Sequence, residues 1–403
     1  MAETKLADSS FWEAAREQML LDPTVTNLNT GSWGPNPRCV FEHVTELRRR
    51  MAEEPMNFFV RHSPDLLWDA RERMARFLNG DPKRFIFTAN VSSAINIVAS
   101  GLTLASPGEI LLSDHEYGAM HWCWERMAQK HGLTIRTFPL PLMARSPQEI
   151  VDAACAACTP KTRLLFFSHV LSPTGLVLPA EQLCAEARKR GILTVIDGAH
   201  APAMVSVDVA KINADFYAGN SHKWLLAPNG SGFLACGRDA IDRLQPLHVS
   251  WGYRYEPKQA DERDEWGCTG RLRSLEFEGF RDVSPWIATP TAVDFQASLG
   301  WERIRERMAH LSEYVRSKLD GLRGMTLTTS THPELHGSLT AFRLPAGVMT
   351  RTLQQELWTK ERIETAAVDR PEAQILRVST HFYNTTQEID QLRDALKSCA
   401  SLP

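Results

Sequence analysis

The chain has 403 residues, 45 basic against 48 acidic, for a formal net charge of −3. That balance leaves no basic footprint for nucleic acid or for an anionic membrane surface, and no apolar run approaches the roughly 20 residues that span a bilayer. The length fits two domains, one of them large. The opening MAETKLADSSFWEAAREQ lacks the basic start and apolar run of a signal peptide. The eight cysteines are scattered, as in a reduced, cytoplasmic enzyme. Cys155 and Cys158 form a C-x-x-C in an alanine-rich helical pattern with no second pair, so no metal centre is expected.

In chain order, Phe11 to Leu21 reads as an amphipathic helix. A turn-rich loop follows, with Asn29, Thr30, Gly31, Ser32 and Gly34 before Pro35. Cys39 to Glu53 and Asp65 to Leu78 are helical in pattern. FIFTANVSSAINIVASGL predicts a strand over Phe85 to Thr88, a small-residue turn over Asn90 to Ser93, and a helix over Ala94 to Leu102. Amides at such a helix start point toward an anion placed there, although serines at this position also serve as plain N-caps. Strands then alternate with helices through residue 236: a strand to Leu112, the turn with Asp114, His115 and Tyr117, LTIRTFPL, RLLFFSHVLSPTG and ILTVIDGAHAP. This alternation predicts an open, mostly parallel sheet flanked by helices. Ligands of such sheets bind beyond the carboxyl ends of the strands, where Ser92 and Ser93, Tyr117, Ser168 to Thr174, and Asp197 with His200 all fall. Residues 246–285 read as a long aperiodic excursion. A helix over Thr291 to Leu322, broken near Gly300, leads into strand–helix–strand–helix, a small α/β domain. The expected division is an N-terminal segment over 1–28, a large domain over 29–288 and a small domain over 289–403.

The stretch DFYAGNSHKWLLAPNGSGFL sets Lys223 in a loop between two short apolar strands. Most lysines are solvated surface charges; one desolvated between core elements has a lowered pKa and a free amine suited to Schiff-base chemistry. Asp197 ends the apolar strand TVID. It suits a helix cap or structural acceptor equally well, yet beside a sheet-edge lysine it also has the character to pair with a pyridinium nitrogen.

TVIDGAHAP followed by FYAGNSHKWLLAPNGSGFL resembles the fold-type I pyridoxal-phosphate enzymes of the class V aminotransferase group. FWEAAREQ, NLNTGSWGP, DHEYGA, SHVLSPTG and LRVSTHFYNT resemble its isopenicillin N epimerase-like subgroup, so the likeness runs over nearly the whole chain. It implies a large domain with a seven-stranded, mostly parallel sheet, a smaller C-terminal α/β domain, and a homodimer with shared sites. Lys223 would hold pyridoxal 5'-phosphate and shuttle the Cα proton. Asp197 would pair with the ring nitrogen, His200 with the ring oxygen, and Tyr117 would stack on the ring, with His115 as the alternative. Ser92, Ser93, Asn220 and His222 would hold the phosphate, and Ser172 would lie near the ring oxygen. Arg377 would grip the substrate carboxylate through its planar fork, with Asn29 and Gly31 on the substrate side. Thr269 resembles a threonine donated to the partner subunit's phosphate, although the family's Gly-Thr-x-Asp is Cys268-Thr269-Gly270-Arg271 here.

The resemblance implies chemistry at Cα of an amino acid through an external aldimine, by an epimerase or an aminotransferase. Tyr117, His115, His248 and Tyr253 are all candidates for the second base that epimerisation needs. No cysteine lies between Cys268 and Cys399, which argues against a desulfurase that uses a mobile C-terminal cysteine. A carbon–sulfur lyase expelling a group from Cβ stays as an alternative, and outside enzymes a binding protein that keeps the fold without its chemistry.

Overall fold

The computed structural model describes residues 2–370 and 373–402. Its strands are β1 (Thr26–Asn27), β2 (Phe85–Thr88), β3 (Glu109–Ser113), β4 (Thr134–Phe138), β5 (Thr162–Ser168), β6 (Leu193–Gly198), β7 (Phe216–Asn220), β8 (Gly232–Cys236), β9 (Thr326–Leu327), β10 (Leu339–Arg343), β11 (Ile363–Glu364), β12 (Ala366–Arg370) and β13 (Ala373–Ser379). Seven form one sheet in the order β2-β8-β7-β6-β5-β3-β4. Only β8 runs against its neighbours, and the other pairs are parallel, as the alternation predicts.

The apolar runs of β5 to β7 reflect burial on both faces. Leu164, Phe166, Val195 and Phe216 pack into one core with helices Val91–Gly101 and Gly118–His131. Their alternates Leu165, Phe167, Ile196 and Tyr217 pack into another on the opposite face. The carboxyl ends of β2, β3, β5, β6 and β7 therefore share one edge.

A second sheet, ordered β12-β13-β10-β9, is antiparallel throughout. Helices Trp301–Leu319, Thr350–Glu361 and Thr386–Ser398 share a third core with it, and Leu28 enters that core from the N-terminal side. There β1 pairs in parallel with β11.

Three local expectations need correction. The first helix spans Ala2–Glu17 rather than Phe11 to Leu21, because Met19 leaves it to bridge to Pro37. Helix Val91–Gly101 begins inside the expected turn, capped by Asn90, whose side chain accepts from the Ser93 N–H. The small sheet holds more strands than strand–helix–strand–helix allows. In it β9 is two residues long, and β12 reads AAVDR with no clean alternation to announce it. The long helix does break where expected, into Thr289–Leu299 and Trp301–Leu319, at Gly300 with φ of 89°.

Candidate active site

Lys223 stands on the loop between β7 and β8, and the loop is pinned from three sides. At its base the Ser221 N–H donates to the Ser231 carbonyl at 3.0 Å. From the N-terminal loop, the Gly34 N–H donates to the His222 carbonyl at 3.0 Å, and Asn36 Nδ2 donates to the carbonyls of Leu226 and Ala227 at 3.1 and 2.9 Å. From behind, Gln296 Nε2 and His381 Nε2 donate to the Trp224 carbonyl at 3.1 and 2.9 Å. Those bonds fix the loop, and Lys223 itself is half-buried. Burial, and to a lesser degree the Arg377 guanidinium, push its pKa down to about 8, against the opposing pull of Asp197. Lys223 Nζ lies 3.2 Å from His200 Nε2, whose Nδ1 faces Trp224 Nε1 at 3.3 Å.

The amine opens into a cleft of about 630 Å³ at the shared strand edge. Asp197, ending β6, accepts the Ala199 N–H at 2.8 Å through Oδ1. Burial raises its carboxyl, while that N–H and Lys223 counteract the rise. His200 is driven well below the ordinary histidine value by burial and then by Lys223 and Arg377, so it is neutral.

At the start of helix Val91–Gly101, Ser92 faces the cleft. Ser93 lines a neighbouring cavity instead, and its N–H is taken by Asn90 at 3.0 Å. Asn220 accepts the Val91 N–H at 2.9 Å and so braces that helix start. His222 is held by the Ser231 carbonyl at 3.2 Å and by the Trp33 ring, 5.1 Å away. Its pKa falls to about 4, chiefly through burial.

Arg377, on β13, reaches into the same cleft. Its Nη1 donates to the carbonyl and hydroxyl of Ser172, both at 2.9 Å, and its Nη2 to Ser32 Oγ at 2.9 Å and Asn29 Oδ1 at 3.5 Å. Among the described residues no carboxylate pairs with it, and its buried Nε has no partner. Burial lowers its pKa to about 10. Gly31 keeps this corner open, since a Cβ there would stand 2.7 Å from Ser379 Oγ and 3.5 Å from Arg377 Nη2.

Several expected residues sit elsewhere. Asn29 does not line the cleft; it orients Arg377 and donates to Glu364 at 3.1 Å. Ser172 does line the cleft, where its carbonyl and hydroxyl accept from Arg377. Thr269 is buried as the N-cap of helix Gly270–Glu276, its hydroxyl accepting the Leu272 N–H at 3.3 Å, away from its own chain's cleft. Of the four candidate second bases, Tyr117 alone lines the cleft. His115 is turned to Asp114 at 2.6 Å, and His248 faces Glu278 at 3.4 Å.

Glu116 was not anticipated. Its carboxyl lines the cleft and accepts from Ser113 Oγ at 2.5 Å, Ser168 Oγ at 2.6 Å and the Ser168 N–H. Burial outweighs those donors and, with Asp197 nearby, raises its pKa to about 7. Ser32 and Trp33 were read only as parts of a turn. Arg370, which ties β12 to the Asp114 carbonyl at 2.9 Å, sits on a strand that went unread.

The donor set fits pyridoxal phosphate. A buried amine of lowered pKa, a buried carboxylate with one hydrogen-bond donor, a neutral imidazole and a helix start open at Ser92 converge on one cleft. The family model for aminotransferase class V matches residues 34–392. The isopenicillin N epimerase of Amycolatopsis lactamdurans is 55% identical over 393 residues, covering 96% of this chain and 98% of that protein. That of Streptomyces clavuligerus is 53% identical over 389 residues, covering 96% and 97%. Among solved structures, the cystine C–S lyase C-DES bound to cysteine persulfide superposes with a TM-score of 0.82 at 25% identity, over 93% of this chain and 97% of that one. The chain belongs to the aminotransferase class-V family and is a pyridoxal-phosphate-dependent enzyme of fold type I acting at the α-carbon of an amino-acid substrate.

Proposed function

We propose that the chain epimerises the α-carbon of isopenicillin N. The identity of more than half its residues to two isopenicillin N epimerases, over nearly the full length of each, carries this reading. When bound, pyridoxal phosphate supplies an electron-accepting ring that acidifies the Cα–H. The chain's residues do the rest. Lys223, its pKa lowered to about 8, would bind the cofactor and move the proton at Cα on one face. Asp197 would keep the ring nitrogen protonated, and Ser92 with the helix start would hold the phosphate. Among the described residues Arg377 is a buried cation without a counter-ion, a costly arrangement that an α-carboxylate would relieve. Tyr117 lines the same cleft as Lys223 and Arg377, which makes it our candidate for the proton on the second face. Ser93, Asn220 and Asn29 act at one remove, by bracing the helix start and the arginine.

We propose also that the chain works as a homodimer in the cytoplasm, divides near residues 28 and 288, and uses Thr269 only across the subunit interface. Among the described residues no helix is long and apolar enough to cross a membrane.

The reaction is tested by mixing holoenzyme with isopenicillin N in deuterated water. Deuterium at Cα, with the amine retained and both epimers formed, is the expected result. A keto acid with aminated cofactor means transamination, and loss of a Cβ group means elimination; either sinks the epimerase reading. Tyr117→Phe should lose epimer formation while deuterium exchange on the starting epimer, through Lys223, persists.

A further inference from the structure

Trp224 follows Lys223 in the chain and is fully buried. Its carbonyl is held by His381 and Gln296, and its ring stacks on that of His381 at 6.0 Å and 24°. So fixed, the indole points Nε1 at His200 Nδ1, 3.3 Å away. An indole N–H donates and never accepts, so Nδ1 must be the acceptor. A neutral imidazole has one ring proton, which then sits on Nε2, and Nε2 is the nitrogen 3.2 Å from Lys223 Nζ. The amine can take that N–H only through a free lone pair. An ammonium in its place would set donor against donor, and so would a doubly protonated imidazole facing the indole.

We propose that Trp224 is a positioning residue: by donating to His200 Nδ1 it locks the imidazole as the Nε2–H tautomer and aims a hydrogen-bond donor at Lys223 and at any anionic oxygen bound beside it. The inference rests on the reading of Lys223 and His200 as cofactor-facing. It goes beyond that reading in giving an apolar-looking core residue control over the proton inventory around the lysine. Trp224→Phe keeps the ring bulk and removes the donor. His200 can then place its proton on Nδ1 and turn a bare Nε2 toward the site, where it disfavours an anion. Asp197 from β6, Arg377 from β13, Glu116 and Tyr117 from the turn after β3, and His222 from the lysine loop also face this region. All five are common to the variants compared.

The test follows the visible absorption of the holoenzyme against pH in four forms: wild type, Trp224→Phe, His200→Gln and the double variant. The midpoint of the colour change should rise by about half to one pH unit in Trp224→Phe and show no further effect of the indole in the His200→Gln background. Nitrogen-15 spectra of labelled histidine should find Nδ1 of His200 bare in the wild type and the two tautomers mixed in Trp224→Phe. An unmoved midpoint in a folded Trp224→Phe protein, or the same shift in both backgrounds, overturns the proposal and leaves the indole as packing. A wild-type His200 protonated on Nδ1 overturns it even if the variant fails to fold, and leaves the site assignment standing. The expected tautomer with a midpoint insensitive to His200→Gln also overturns it, and places the fault in the assignment of His200 to the cofactor.

Discussion

Glu116 brings a second buried acid to the wall of the cleft. Its carboxyl ties the turn after β3 to the end of β5, at Ser168, the residue in register with Asp197 on β6. A second acid so near Asp197 is better tolerated if it can hold its own proton, which burial arranges by raising its pKa to about 7. An unfolded glutamate titrates near its ordinary 4.5, so between these values the native state binds the proton that the unfolded state releases. The stability from this group is complete below about 4.5 and is lost as the pH climbs to about 7. Glu116→Gln lacks that dependence. Urea denaturation of the cofactor-free chain at pH 5 and pH 8 should show the wild type losing on the order of 2 kcal/mol more than the glutamine variant. Parallel pH profiles would refute this account of Glu116.

The lysine loop depends on an element distant in sequence. Residues 29–36 pass across it, and the passage works because Gly34 has no side chain: a Cβ there would stand 2.1 Å from the Lys223 carbonyl oxygen and 2.7 Å from Leu226 Cδ2. Backbone cannot yield as a flexible side chain does, so Gly34→Ala should force the two loops apart. We expect a loss of about 1–3 kcal/mol in stability, as for overpacking, seen as a lowered Tm, with faster loss of bound cofactor on dilution. A Gly34→Ala protein with unchanged Tm and cofactor retention would mean the loops part without cost. This dependence also marks what could be read in the sequence. Asp197 ends an apolar run and Lys223 lies in a loop between two apolar strands, so their placement at the sheet's edge is legible, and the chemistry of an acid and an amine in that setting does the rest. Glu116 was not legible, because its burial requires β3 to lie beside β5 with β4 displaced to the sheet edge, an order that no local pattern encodes. The bracing roles of Ser172 and Asn29 needed the path of Arg377 from the second sheet. Strand β12 is half polar and mostly half-buried, so periodicity had nothing to catch.

At the scale of the whole molecule, the aperiodic stretch over 246–285 leaves large apolar groups in water. Trp251 is 86% exposed and Val249 72%, and Trp122 from helix Gly118–His131 is 70% exposed. Side chains of this size usually mark an interface rather than a free surface, and a second copy of the chain is the partner we propose. The same stretch carries Thr269, which caps helix Gly270–Glu276 in its own chain. If the interface completes the site, subunit contact and cofactor retention must fail together. Sedimentation of the holoenzyme should give twice the chain mass. Trp251→Glu combined with Val249→Glu should shift the protein toward monomer, and cofactor absorbance should fall with the same concentration dependence, while the circular dichroism of the fold is kept. A double variant that becomes monomeric and still holds its cofactor in full would show that each chain's cleft is complete alone. Because Lys223, Asp197, His200 and Arg377 all come from one chain, the competing expectation is concrete, and the concentration series decides between them.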